Sequence, residues 1–181
     1  MIATPQQIAD FLATYGKKEC LSNVKILSDD CVASALENRL SPEMPYRLDV
    51  FLRQSQGLSI TVIFGSLGIY ENSNILRRLA ELNFMLLFGC LNIKPDDRVL
   101  CYRVDHFWDN YDNELSPEFF EWLLGNFVAN VRFIEQFLLF EILVGHGHSK
   151  QRADQFVKAK LGDNPITEWD RFIAERKNQN S

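Results

Sequence analysis

The sequence predicts an α+β fold: an antiparallel sheet of about five strands flanked by helices, with a C-terminal helical appendage. Three observations carry this. Asn74–His106 changes from a helix pattern to a strand pattern and then returns through a tight turn. Tyr46–Arg53 alternates apolar and polar residues, and Leu58–Phe64 is rich in β-branched residues. Glu118–Val144 is a long helical run whose apolar residues go most of the way round.

Thr4 is placed to cap a first helix, with Pro5 at its first position and Gln7 completing a Thr-x-x-Gln capping box. Ile8, Phe11, Leu12 and Tyr15 share one face, and Gly16 with two lysines ends the helix. Leu21–Leu27 fits a strand. Cys31–Leu40 fits either a short helix capped by Asp29 or Asp30, or a further strand. Ser41–Pro45 holds two prolines and is a loop. Gln54–Gly57 joins the next two strands as a hairpin, and Gly65–Asn72 is a connector.

Asn72 or Ser73 caps a helix from Asn74 to Asn83. Phe84–Ile93 reads as a mostly buried strand, Lys94–Asp97 as a turn, and Arg98–His106 as the returning strand. A turn centred on Pro95-Asp96 sets Cys90 opposite Cys101. Trp108–Leu115 is an acidic loop. Ser116 caps the long helix, with Pro117 in its first turn. Gly145-His146-Gly147 stops that helix, Ser149 starts another that Gly162 ends, and Asn164-Pro165 opens a last one through Arg176. The expected organisation is a domain over residues 1–145 and an appendage over 146–181.

A hydrophobic content of 46%, with 14 Phe, excludes disorder of the whole chain. The net charge of −5 and the scattered Lys and Arg argue against a nucleic-acid partner. No basic stretch followed by an apolar run is visible at the N-terminus. The longest apolar stretches fall short of the roughly 20 residues that span a bilayer. A cytoplasmic location and no membrane partner are therefore expected. Cys20, Cys31, Cys90 and Cys101 lack CxxC spacing and are expected as reduced thiols.

Chemistry-bearing residues are few. His146 and His148 flank a glycine, but no cysteine or carboxylate stands nearby at ligand spacing, so no metal is expected. Gly65-Ser66-Leu67-Gly68 lacks the third glycine and the lysine of a phosphate loop. No nucleophile motif appears, which makes a non-enzymatic protein without a cofactor the expectation. The alternative uses the acidic segment Asp105, His106, Asp109, Asp112 and Glu114 as a small-ligand or metal site, or as an acid/base pair of an enzyme.

The long helix is the candidate partner surface, through Phe127, Val131, Phe133, Phe137, Phe140 and Leu143. Phe156, Val157, Trp169, Phe172 and Ile173 of the C-terminal helices are candidates to cover part of it. The two readings can coexist.

IYENSNILRRLAELNFMLLFGCLNI ends its helix on Leu79, Leu82, Asn83 and Phe84, then places Phe88, Gly89 and Leu91 in a strand. RVLCYRVDHF follows as the return strand and LSPEFFEWLLGNFVANVRFI as a helix. From Ile69 to about Leu139 the chain resembles the YbjN-like family, grouped with the type III secretion chaperone-like fold. Leu91 stands where that family has an aromatic. No proline follows Phe133-Ile134, so the helix is expected to run longer. The resemblance implies an antiparallel sheet with helices in a small, cytoplasmic, often dimeric protein, and no catalytic residues. It implies a chaperone-like or regulatory role: a homodimer that holds a client along a sheet edge or an apolar groove.

Overall fold

The alternation in Tyr46–Arg53 becomes a central strand. Leu48 and Val50 are fully buried on one side of the sheet, while Arg47, Asp49, Phe51 and Arg53 take the other. The computed structural model describes residues 4–53, 57–66, 73–83, 86, 89–94, 99–107 and 115–162. Its elements in chain order are α1 (Pro5–Tyr15), β1 (Leu21–Ser28), β2 (Cys31–Leu36), β3 (Tyr46–Arg53), β4 (Gly57–Ser66), α2 (Ser73–Asn83), β5 (Cys90–Lys94), β6 (Val99–Phe107), α3 (Pro117–Gly145) and α4 (Lys150–Leu161). The architecture is α+β. Among the described residues, six strands form one antiparallel sheet in the order β1-β2-β3-β4-β6-β5.

The caps expected at Thr4, Ser116 and Ser149 are in place. The Thr4 hydroxyl accepts from the Gln7 N–H at 3.3 Å, and the Thr4 N–H donates to the Gln7 side chain at 3.1 Å. Ser116 Oγ accepts from the Phe119 N–H at 3.1 Å, and Ser149 caps α4 through the Arg152 N–H. Cys31–Leu36 is a strand rather than a helix. Val32 and Leu36 bury alternate side chains against the core, and Ser34 Oγ between them donates to the Ser22 carbonyl of β1 at 2.8 Å.

Two expectations around β5 need correction. Leu86 and Gly89 lie outside the strand, which is described from Cys90, and Gly89 has φ +78°; Phe84, Met85, Leu87 and Phe88 lie outside the described residues. A Cβ at Gly89 would lie 2.6–2.8 Å from Val104, the Arg103 carbonyl and the Tyr102 hydroxyl, so only glycine fits there. The register is also two residues away from the expected one. Cys90 pairs with Arg103 and Cys101 with Asn92, and all four cysteines are free thiols. The physical reason is Asn83, at the end of α2. Its Oδ1 accepts the Leu91 N–H at 2.7 Å and its Nδ2 donates to the Leu91 carbonyl at 3.2 Å, which fixes where β5 lies.

The chain divides into two compact units, Met1–Val131 and Arg132–Ser181. In the first unit the Phe11 ring lies 4.8 Å from Phe120, and Tyr102 lies 5.0 Å from Phe127. Each such fully buried apolar side chain contributes about 1.5–3 kcal/mol. In the second unit Phe140 packs with Ala153 and Val157, and Arg132 pairs with fully buried Glu135 at 3.1 Å. No helix among the described residues is long and apolar enough to cross a membrane. The Gln54–Gln56 stretch of the hairpin loop, the Pro95–Asp97 stretch of the turn, Trp108–Glu114 of the acidic loop and the helix expected over Asn164–Arg176 lie outside the described residues.

Candidate functional site on the polar face of the sheet

Antiparallel pairing sets the polar positions of β3, β4 and β6 side by side. Thr61 stands between Asp49 and Arg103, Ser59 between Phe51 and Asp105, and Gly57 between Arg53 and Phe107. The central strand therefore supplies small side chains and its neighbours supply large, charged ones. The result is a cleft of about 690 Å³ with Ser59 and Thr61 in its floor. Asp49 and Phe51 line it from β3, Arg103 and Asp105 from β6, and Cys90 and Asn92 from β5. Its lining spans β3 to β5, three strand spacings or about 14 Å.

The charges are arranged in two groups. On one side Arg47 Nε donates to Asp49 Oδ1 at 2.9 Å. That hydrogen bond, with the charge of Asp49 behind it, pushes the Arg47 guanidinium further up. On the other side Asp105 Oδ1 accepts from Ser59 Oγ at 2.7 Å and from Arg103 Nη2 at 2.8 Å, with Arg53 Nη2 at 3.4 Å. Arg53 also lies over the Phe107 ring, 5.7 Å from its centre. Next to the cleft, burial pushes the Cys31 thiol up, and the charge of Asp49 adds to the shift.

The residues expected on the long helix are mostly spent on folding. Phe127, Val131, Phe137 and Phe140 are buried within the chain. Phe133 and Leu143 are half-buried, and Leu143 packs against the Phe140 cluster. The surface they leave for a partner is smaller than the sequence suggests, because the chain itself covers this stripe. Of the acidic segment, Asp105 and His106 are described. Asp105 and His106 are consecutive in β6 and face opposite sides of the sheet. Asp105 joins the cleft, while the His106 ring lies 4.7 Å from Phe119. Asp109, Asp112 and Glu114 lie outside the described residues. His146 is exposed and His148 half-buried. No group of three His, Cys, Asp or Glu suited to a metal occurs among the described residues.

The cleft itself has a sequence signal that periodicity alone passes over. β4 puts Gly57, Ser59 and Thr61 on its polar side, a run of small residues between two strands whose polar sides carry Arg and Asp. No family model matches the chain, and no curated protein matches it.

Proposed function

We propose that the protein is a non-enzymatic protein-binding module, chaperone-like or regulatory, that acts as a homodimer in the cytoplasm. It presents the polar face of its sheet to a partner. One observation carries this reading: exposed Phe51 lines an open cleft with Arg53 and Arg103, and exposed Phe107 lies against Arg53. Aromatic residues and arginine are the side chains enriched where proteins bind proteins. The resemblance to the YbjN-like family supports the same role, and four free thiols suit a reducing compartment.

Strand addition at an edge is less well supported than docking on the face. β1 is interrupted by two register shifts and carries Lys25, and Asn83 holds β5. A photo-crosslinking residue at Phe51, compared with one at Phe133, tests the reading. Adducts to another polypeptide are expected from Phe51. Adducts from Phe133 alone would move the partner to α3. Sedimentation should return about twice 21.0 kDa, and a monomer at every concentration would end the dimer.

A further inference from the structure

The cleft has a direction. Arg53 and Arg103 share the single carboxylate of Asp105, which leaves one positive charge in excess on that side. Asp30 and Asp49 stand against the single guanidinium of Arg47, which leaves one negative charge in excess on the other. Between them lies Thr61, with 8% of its surface exposed. Its side chain makes no hydrogen bond among the described residues, and among them no fully buried side-chain polar atom lacks a partner. The Thr61 hydroxyl therefore opens into the cleft. A ligand's polar atom could take the place of the water that such an open hydroxyl meets.

We infer that the cleft takes an extended peptide segment bearing one acidic and one basic side chain. The acidic side chain lies toward Arg53 and Arg103, and the basic one toward Asp30 and Asp49. The Thr61 hydroxyl hydrogen-bonds the segment between them. This rests on the binding role proposed above and specifies its partner. The dimensions favour a peptide over a single small zwitterion. The lining runs from β3 through β4 and β6 to β5, three strand spacings or about 14 Å, which suits a short extended segment lying across the strands. Phe51 and Phe107 offer apolar contact beyond the charged groups.

The test uses end-blocked octapeptides with a Val/Thr/Ser background, carrying a Glu and a Lys in every pairing of positions. Peptides with two Glu or two Lys serve as controls, and affinity is read by fluorescence anisotropy. Mixed-charge peptides should bind at least about tenfold more tightly than single-sign ones. Thr61→Val should weaken them about three- to tenfold, the loss of one neutral hydrogen bond. Arg103→Gln should weaken them by more, and Arg53→Gln, at a more exposed residue, replaces it if that variant does not fold. Single-sign peptides binding equally well would overturn the charge pairing, and affinities untouched by Thr61→Val and Arg103→Gln would overturn the site. If no peptide binds but Phe51 still crosslinks to a protein, the segment is wrong and the binding role stands. If Phe51 yields no adduct either, both fall.

Discussion

Ile60 and Thr61 are neighbours on β4 and face opposite sides of the same sheet. On the side of Ile60, Leu48, Val50 and Val62 are also fully buried, and all are apolar. On the side of Thr61, Asp49 and Ser59 are almost as hidden, with 5% and 2% of their surface exposed, and all are polar. These side chains are hidden on both faces, but only the apolar ones gain by it. The apolar face is explained by folding alone. The polar face carries groups that must be bonded to offset their burial. Asp49 and Ser59 find partners in Arg47 and Asp105. Thr61 is left to the cleft. A folding requirement explains the first face and only part of the second.

Four perturbations would break or sharpen this contrast. Ile60→Ala has the largest expected effect, about 2–5 kcal/mol of stability lost through a core cavity. Urea unfolding measures it, and a loss below about 1 kcal/mol would erase the distinction between the faces. Tyr102 comes next. Burial pushes its phenol up to about 12, against the opposing hydrogen bond from Asn130 Nδ2 at 2.8 Å. The folded state thus favours the neutral phenol more than the unfolded chain does. That stability is complete below the ordinary tyrosine value of about 10 and is lost as the pH rises from there toward about 12. The loss should amount to about 2–3 kcal/mol. Unfolding curves of the protein and of Tyr102→Phe should diverge across that window, and parallel curves would show that Tyr102 is not buried as described.

On the polar face the effects should be smaller. Asp49→Asn weakens the bond to Arg47 and should cost about 1–2 kcal/mol by thermal unfolding. Thr61→Val should be the mildest, within about 0.5 kcal/mol, since no hydrogen bond of the fold is lost. A cost comparable to that of Ile60→Ala would mean that the hydroxyl serves folding and that the two faces do not differ in kind.

β3 is legible in the sequence through its period-two pattern, and β4 through its β-branched residues. β2 is not, since Ala33, Ser34 and Ala35 suit helix and strand equally and only the neighbouring strands decide. The hairpin register shows a sharper limit. A pattern with period two is blind to a slip of two residues, because every side chain keeps its face. The choice between Cys90 opposite Cys101 and Cys90 opposite Arg103 falls to Asn83, a contact that no periodicity encodes. The apolar run of α3 is visible in the sequence, and so is part of its cover, since Val157 packs with Phe140. Its buried side chains belong to two units, Phe120 and Phe127 to the first and Phe140 to the second. The cleft needs three strands in register before it exists at all.

Asn83 has a wider consequence. Its amide offers Leu91 one acceptor and one donor, the pair that the backbone of an adjoining strand would offer. A single side chain thus occupies the place of a seventh strand and closes the sheet at β5. Without it the exposed amide and carbonyl of Leu91 would be a template for any passing chain. The residue that sets the register also sets the width of the sheet, and with it the point at which assembly stops.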